Sequence, residues 1–453
     1  MSELKIAMVG TRGVPARYGG FETAIEEVGS RLVQRGHSVT VYCRRPADGS
    51  RAADEHLGMR LVHLPALRTK TLETLSHSAL SALHASVQRG THDAVFVFNA
   101  ANSPYIPFFR ARRMPVAVHV DGLEWRRAKW GGGGRRYYRT AEVLAVRWAD
   151  ALIADAEGIA AYYADEFGAS TERIAYGAPI LRDLGHDKLA QHDLVPGGYH
   201  LVVARFEPEN HVDLIVRGYR ASNAQLPVVV VGASPYADEH VRDIREVADS
   251  DSRIRLIGSV WDQDLLNQLY ANCASYLHGH SIGGTNPSLL RAMGAAAPVI
   301  ALDVRFNREV LGPAGMFFAD EMSLAGALAT IERHTDLSRR LGTSLQQRAD
   351  EHYRWDDVTT AYERLAARLA AGESRRGESN GTRNNADQWG YDMVLKPIGG
   401  SGSDGALPEV VAGHGVDPVG LHTGQPIHEV QTIPAAPATA VTQAVPAVSD
   451  SVG

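Results

Sequence analysis

The sequence predicts an α/β fold made of two parallel-sheet domains of similar size. Apolar, strand-like runs alternate with amphipathic helical patterns through the first 180 residues, and a second series of the same kind begins after Pro196-Gly197-Gly198. Continuous apolar strands separated by helices are typical of parallel sheets covered on both faces. Each half is therefore predicted to be a doubly wound, Rossmann-like domain. The two halves should face each other across a cleft at the carboxyl ends of their strands, where open α/β sheets bind ligands.

The first half opens with a strand at residues 5–9, a glycine-rich turn and a helix. Apolar residues recur at helical spacing from Phe21 to Leu32, and Gly36 is placed to end that helix. Further strands are predicted at residues 39–42, 60–64, 94–98, 116–120 and 151–154.

The second half repeats this alternation. Its strands are predicted at residues 201–204, 228–231, 254–257, 275–277 and 299–302. Between the third and fourth strands the spacing predicts a helix that Asp262 caps. Helical patterns continue through residues 322–334 and 338–351.

These patterns divide the chain into four parts. Residues 1–185 form the first domain, residues 186–354 the second, and residues 355–371 a last amphipathic helix. From residue 372 the composition changes to Gly, Ser and Pro with few large apolar residues, so residues 372–453 are predicted to be a disordered acidic tail.

The net charge of -6 belongs to the end of the chain. Residues 377–453 contain two bases and eight acids, which leaves the remainder neutral and excludes a generally basic nucleic-acid-binding protein. The two cysteines, Cys43 and Cys273, lie far apart without a CxxC pair, which fits a reducing compartment and argues against a cysteine zinc site. No secretory signal and no membrane-spanning run is recognised, so the protein is expected to be cytoplasmic.

Glycines follow the first strand and precede its helix. Gly19 and Gly20 at the helix start would present free backbone N–H groups to an anion, and Arg12 and Arg17 add positive charge. A tight turn with solvated arginines is the alternative interpretation. The spacing matches neither the dinucleotide fingerprint GxGxxG nor the phosphate loop GxxxxGK[ST].

Several motifs in consistent order over residues 4–370 together resemble glycosyltransferase family 4. They are the Gly-Gly-Phe-Glu helix start at 19–22, Ala-Arg-Phe-Glu-Pro-Glu-Asn at 204–210, Gly-Ser-Val at 258–260, Gly-Thr-Asn-Pro-Ser-Leu-Leu-Arg-Ala-Met-Gly at 284–294 and Pro-Val-Ile at 298–300. Within that family the closest resemblance is to a bacterial rhamnosyltransferase-type subgroup of surface-polysaccharide assembly.

The resemblance implies a GT-B fold and a retaining transfer of a sugar from a nucleotide donor to a glycan or polyprenyl-linked acceptor. The second domain would hold the donor and the first domain the acceptor. Rhamnose from dTDP-rhamnose is the first expectation and a hexose from a UDP-sugar the second. Two alternatives stay open: a non-catalytic relative that only binds nucleotide sugars, and a nucleotide-dependent oxidoreductase, which the missing GxGxxG disfavours.

The catalytic positions follow from the same resemblance. Arg205 matches an arginine that stabilises the leaving diphosphate, a role that suits a permanent, bidentate cation. Asn210 stands where a lysine is usual. Glu309 matches a glutamate near the donor sugar, and a helix-terminal acid stabilised by the helix dipole is the alternative interpretation.

Further donor-side positions are implied by the matching motifs. They are Gly19, Gly20, Gly258, His280, Gly284, Thr285, Asn286 and Arg291. Many relatives carry two glutamates eight residues apart, and this sequence has Gly283 and Arg291 there. His280 is a candidate replacement for the first of these acids, and Arg291 is expected to contact phosphate or to turn outward.

On the acceptor side, Asp121 stands where relatives often carry histidine, and we expect it to orient the acceptor hydroxyl or take its proton. The other acceptor-side candidates are Arg17, Glu22, Glu124 and Arg126. His119, just before Asp121, is interpreted as a packed core histidine.

Bases and aromatic residues are interleaved from Trp125 to Trp148. This mixture suits the phosphates of a lipid-linked acceptor at the inner membrane face, and a solvated loop is the equal alternative. No metal ligands and no cofactor are expected, and no nucleic-acid partner.

Overall fold

The computed structural model describes residues 2–16, 19–46, 52–67, 69, 72–88, 90–120, 122–127, 130–233 and 239–384. Residues 385–453, most of the predicted tail, lie outside the described residues.

The first domain is a sheet of eight strands with helices on both faces. Its strands are β1 (Lys5–Val9), β2 (Ser38–Arg44), β3 (Glu55–His56), β4 (Met59–Leu64), β5 (Ala94–Phe98), β6 (Val116–His119), β7 (Ala151–Ala154) and β8 (Glu172–Arg173). Their order is β3-β4-β2-β1-β5-β6-β7-β8, and every pairing is parallel except the one between β3 and β4. Its α-helices are α1 (Gly20–Gln34), α2 (Glu73–Val87), α3 (Ile106–Arg110), α4 (Gly132–Trp148) and α5 (Glu157–Phe167).

The second domain is a parallel sheet of six strands. They are β9 (His200–Val203), β10 (Val228–Val231), β11 (Ile254–Gly258), β12 (Ser275–His278), β13 (Val299–Leu302) and β14 (Met316–Phe318), in the order β11-β10-β9-β12-β13-β14. Its α-helices are α6 (Val212–Arg220), α7 (Glu239–Asp249), α8 (Gln263–Ala271), α9 (Pro287–Gly294), α10 (Arg305–Leu311), α11 (Glu321–Arg333) and α12 (Thr335–His352).

The predicted fold class is confirmed, and the predicted strands appear in the predicted order along the chain. The central strands β5, β6, β10 and β13 are buried along their whole length, as expected for sheets covered on both faces. Asp262 caps α8 as predicted, accepting hydrogen bonds from the Asp264 and Leu265 amides at 2.9 and 3.2 Å. Strands β3, β8 and β14 were not predicted because each has only two or three residues.

The chain returns to the first domain in a last helix, α13 (Trp355–Ala370). The Ala178 amide donates to the Tyr353 carbonyl at 2.6 Å, so the segment leaving the first domain and the segment re-entering it lie side by side. Within α13, Tyr362 packs edge-on against Phe96 of β5, and Glu363 pairs with Arg35 at 2.7 Å. Helix α13 is therefore part of the first domain.

The predicted tail begins too early. Residues 372–384, named the strap here, lie against α4 and α5 of the first domain instead of being disordered. The Arg375 amide donates to the Asp150 carbonyl at 2.8 Å, and the Asn384 amide donates to the Glu166 carbonyl at 2.9 Å. At the end of the strap, Arg383 pairs with two buried carboxylates, which offsets the entropy of ordering a polar segment.

Candidate functional site

The two domains meet at the carboxyl ends of their strands with glycine on both sides. A Cβ added to Gly20, at the start of α1, would lie 2.8 Å from the Pro287 side chain at the start of α9. A Cβ on Gly122 would lie 2.9 Å from the Cα of Gly283. Gly283 also has a φ of +124°, which disfavours a side chain there. The positive φ of Gly283 therefore accounts for the absence of a glutamate at this position.

Arg205 follows β9 and reaches the cleft. Its guanidinium pairs with Glu207 at 2.9 Å and keeps about half of its surface exposed. The adjacent Asn210 has a different part in the site: its Nδ2 donates to the Arg205 carbonyl at 2.8 Å, and its Oδ1 faces His280 Nδ1 at 2.6 Å. Asn210 thus holds the loop that presents Arg205, whereas Arg205 itself is accessible to a ligand.

His280 lies beside this loop as a neutral imidazole. Burial lowers its pKa well below the usual value, and neighbouring His278, Arg127 and Arg205 lower it further. Because Asn210 Oδ1 is an acceptor, His280 Nδ1 must donate, which leaves Nε2 as an acceptor. A Cβ on Gly283 would lie 3.3 Å from that Nε2, so the acceptor atom points to the loop where the domains meet.

Residues 284–286, predicted to lie on the donor side, contact a carboxylate of the chain itself. The Thr285 amide donates to Asp155 Oδ2 at 3.0 Å, and the Thr285 hydroxyl donates to the Asp155 carbonyl at 2.6 Å. A Cβ on Gly284 would collide with the same carboxylate. Asn286 caps α9 by accepting from the Ser288 amide at 2.9 Å. Asp155 belongs to the first domain, so its carboxylate crosses to an amide at a predicted donor-side position.

Glu309 makes a contact in the opposite direction, from the second domain to the first. Its carboxylate, on α10 of the second domain, accepts hydrogen bonds from the Glu157 amide at 2.6 Å and the Gly158 amide at 3.2 Å. These are the first two residues of α5, so Glu309 caps a helix of the first domain. The Glu309 carboxylate therefore stabilises a helix terminus, as the alternative interpretation expected, but that helix belongs to the other domain.

Arg291 turns toward α8. Its Nη1 donates to Gln263 Oε1 at 2.9 Å at a partly exposed position. Gly258, at the end of β11, has a φ of +75° and open space where a Cβ would stand. A ligand approaching the end of β11 would therefore meet backbone at Gly258.

The acceptor-side candidates are only partly brought together. Glu22 accepts from the Arg12 amide at 3.1 Å at the start of α1, and burial raises its pKa. Glu124 pairs with Arg127 at 2.6 Å, and Arg126 lies over the Trp125 ring at 5.5 Å.

Two further predicted residues, Arg17 and Asp121, lie outside the described residues. His119 is the packed histidine that the sequence predicted: its ring stacks on Phe98 and meets Phe21 and Tyr176, and burial lowers its pKa to about 3.

Arg127 is the cleft residue that sequence reasoning missed. It belongs to the first domain and approaches Glu207 at 3.8 Å and Glu209 at 3.6 Å in the second. The two glutamates stand inside a motif that the sequence analysis used, but their partner lies about eighty residues earlier, so only the folded structure brings the three together.

Among the described residues, no group of three or more His, Cys, Asp or Glu side chains is arranged to hold a metal ion. Within the same residues, no helix combines the length and apolar character needed to cross a bilayer.

Sequence comparison assigns the two halves to different domain families. Residues 4–179 match a domain of unknown function, DUF1972, and residues 198–334 match "Glycosyl transferases group 1". The O-antigen chain mannosyltransferase B of Escherichia coli is 25% identical over 178 residues, which are 38% of this chain and 46% of that protein.

A second curated relative is the GtfA subunit of the UDP-N-acetylglucosamine–peptide N-acetylglucosaminyltransferase of Streptococcus gordonii, 31% identical over 115 residues. That match covers 24% of this chain and 22% of the relative. The chain thus spans less than half the length of the curated relatives it matches.

Solved structures resemble the chain over both domains. Sucrose-phosphate synthase of Thermosynechococcus elongatus superimposes with a TM-score of 0.71 at 18% identity, covering 82% of this chain and all of that one. HepE of Anabaena in complex with UDP-glucose gives a TM-score of 0.64 at 15% identity, covering 81% of this chain and all of HepE. The chain therefore has the GT-B glycosyltransferase fold, and its residues 198–334 match the glycosyl transferases group 1 domain.

Proposed function

We propose that the protein is a glycosyltransferase that moves a sugar from a nucleotide donor to a growing glycan or lipid-linked acceptor, with retention and without a metal ion. The observation that carries the proposal is the Arg205 loop: a half-exposed guanidinium at the end of β9, beside a neutral histidine, in the cleft of a GT-B fold. Cleavage of a nucleotide sugar leaves negative charge on the departing diphosphate. A positioned, permanent cation stabilises that charge in the transition state.

The relatives favour a hexose donor. One is named a mannosyltransferase, and the HepE structure is a complex with UDP-glucose. We therefore place a UDP-hexose ahead of dTDP-rhamnose, which reverses the order expected from the sequence alone.

A panel of nucleotides tests this proposal. Thermal stabilisation and isothermal titration with UDP, dTDP, GDP, their sugars and NAD⁺ should show binding of one nucleotide diphosphate family. Release of that nucleotide from its sugar should continue in EDTA. Arg205→Ala should weaken nucleotide binding at least tenfold, because a charged phosphate contact is lost. Arg339→Ala, an exposed arginine of α12, is the matched control and should change nothing.

The outcomes of the panel separate the alternatives. Binding of NAD⁺ alone would support the oxidoreductase. Tight binding of a nucleotide sugar without turnover toward any acceptor would support a non-catalytic relative. Binding of none would contradict the proposal.

We also propose that the beginning of α4 contacts the anionic phosphates of a lipid-linked acceptor at the membrane surface. Arg135 and Arg136 are exposed in the first turns of α4, directly after glycines 131–134. Bases near a helix N-terminus oppose the helix dipole, so this placement weakens the helix and favours a function outside it.

Cosedimentation with vesicles tests this second proposal. Vesicles containing anionic phospholipid should bind the protein, and neutral vesicles should not. Arg135→Glu/Arg136→Glu should abolish the binding, while Arg339→Glu/Arg340→Glu on α12 should leave it. Equal binding of all variants would contradict membrane contact at α4.

A further inference from the structure

The loop after β9 holds Glu209 by its backbone. The Ser281 amide donates to the Glu209 carbonyl at 3.0 Å, and the Ser281 hydroxyl donates to the same oxygen at 3.2 Å. The Asn210 amide closes the turn by donating to the Glu207 carbonyl at 2.9 Å. The Glu209 side chain therefore starts from a fixed point next to His280.

The Glu209 carboxylate is buried without hydrogen-bond donors. Its side chain is 2% exposed, and neither oxygen accepts a hydrogen bond from any residue that the structure describes. The cation that faces it is Arg127 of the first domain, at 3.6 Å, which is beyond hydrogen-bond distance.

Arg127 also lies near the carboxylates of two other acids. Its Nε lies 2.6 Å from Glu124, and its Nη1 lies 3.8 Å from Glu207. One guanidinium thus faces three carboxylates. Because burial of a carboxylate that lacks donors is unfavourable, the Glu209 carboxylate is suited to accept hydrogen bonds from a ligand.

The neighbouring atoms define which donors fit. His280 Nε2 is a second acceptor, and it points to the loop at Gly283 where the domains meet. The three acids Glu124, Glu207 and Glu209 outnumber the two arginines that pair with them, Arg127 and Arg205, so a phosphate next to Glu209 is disfavoured. A neutral molecule with several hydroxyl groups supplies the hydrogens that the Glu209 carboxylate lacks.

We propose that Glu209 binds hydroxyl groups of the donor's sugar, with His280 Nε2 as the second acceptor, while Arg205 binds the diphosphate on the other side of the loop. This inference rests on the proposed function and names the part of the donor that the second domain recognises. Arg127 covers Glu209 from the first domain, so the sugar enters as Arg127 withdraws and the domains separate.

Donor analogues that lack one hydroxyl test the assignment. The protein is titrated with UDP and assayed with the donor that the panel above selects, UDP-glucose first, and with its monodeoxy analogues. Glu209→Gln replaces one acceptor oxygen by a donor at nearly constant shape. It should lower kcat/KM for the intact sugar at least tenfold, with the affinity for the nucleotide unchanged within twofold.

One monodeoxy analogue should react differently from the others. Removal of the hydroxyl that Glu209 binds should slow the wild type but have little further effect on Glu209→Gln, so the two losses should not add. Asp251→Asn is the matched control. Asp251 is also an acid paired with an arginine, Arg253, but both residues precede β11, at the end of the strand opposite to the cleft. It should leave the sugar preference unchanged.

Results that contradict the role of Glu209 differ from results that contradict the proposed function. If Glu209→Gln weakens UDP binding as much as it slows turnover, or if its loss adds to that of every deoxy analogue, Glu209 has no contact with the sugar. Should Glu209→Gln fail to fold, Glu209→Met, which has similar bulk and no carboxylate, repeats the measurement. Failure of the wild type to bind any nucleotide would instead contradict the proposed function.

Discussion

The guanidinium of Arg383 lies 2.8 Å from Glu166, a carboxylate with no exposed surface near the end of α5. Arg383 also contacts Glu142 of α4 and donates to the Tyr162 hydroxyl at 3.0 Å, and it lies over the Phe167 ring. The residue that the sequence assigned to a disordered tail is thus the counterion of two buried acids in the first domain.

Loss of Arg383 should therefore destabilise the protein strongly. Arg383→Ala leaves both carboxylates without that cation, which typically costs about 3–5 kcal/mol of unfolding free energy. Arg368→Ala is the control, because the pair of Arg368 with Glu172 is partly exposed and should be worth about 1 kcal/mol or less. Chemical denaturation of both variants measures the difference, and equal losses would contradict a structural role for Arg383.

The loss of unfolding free energy in Arg383→Ala should also depend on pH. Burial raises the pKa of Glu142 to about 7 even with Arg383 present. The folded state therefore holds a proton that the unfolded state releases above pH 4.5, so the stability contributed by this group falls as pH rises from about 4.5 to 7. Removal of the cation raises the folded pKa further, and the deficit of Arg383→Ala should be larger at pH 8 than at pH 5.5. A deficit independent of pH would show that Glu142 does not titrate with folding.

Two truncations should separate the strap from the rest of the tail. A chain ending at residue 384 keeps Arg383 and Asn384 and should unfold at the same temperature as the full chain. A chain ending at residue 371 loses Arg383 and the strap contacts to Asp150 and Glu166, and should unfold at least several degrees lower. Thermal unfolding followed by circular dichroism measures both, and identical midpoints would mean that the strap contributes nothing.

Glu309 should act on the arrangement of the two domains as well as on stability. Glu309→Ala removes the cap of α5 and should cost about 1 kcal/mol. Asp320→Ala is the control, because Asp320 caps α11 within the second domain. Small-angle X-ray scattering should show a larger radius of gyration for Glu309→Ala and an unchanged one for Asp320→Ala. A radius unchanged in both would show that the cap does not hold the domains together.

His119→Phe should make the protein more stable in acid. Burial lowers the pKa of His119 from 6.5 to about 3, so below pH 6.5 the unfolded state binds a proton that the folded state does not bind. Folding stability is therefore lost as pH falls below 6.5, by about 2 kcal/mol for this group at pH 5. Phe keeps the packing against Phe98 and removes that loss. The variant should gain stability over the wild type at pH 5 and show a smaller difference at pH 7.5, as measured by urea unfolding.

The order of strands and helices was predictable because it depends on local patterns. Buried strands are continuous apolar runs, and the cap of α8 needs only Asp262 and its two following amides. His119 was predictable as a core residue for the same reason, since it extends an apolar strand.

The contacts between domains were not predictable in this way. Asp155 meets Thr285 across 130 residues and Glu309 meets Glu157 across 152, and neither contact leaves a local pattern. Asp155 stands just before α5, where the sequence suggests a local cap, and only the orientation of the domains places its carboxylate at Thr285 and that of Glu309 at the start of α5. The strap was missed because its composition resembles a disordered segment, while Glu166, which anchors Arg383, lies 217 residues earlier.

The position of the strap also bears on how the protein is made. The first domain receives its last helix and its counterion from residues 355–384, after the whole second domain has been synthesised. A ribosome-bound chain that has reached only residue 179, the end of the first matched domain, exposes the β5 surface that Tyr362 covers and leaves Glu142 and Glu166 without their cation. In the part of the chain that the structure describes, the strands and helices of the second domain end with α12. We therefore expect the half of the protein that is translated first to acquire its native structure last.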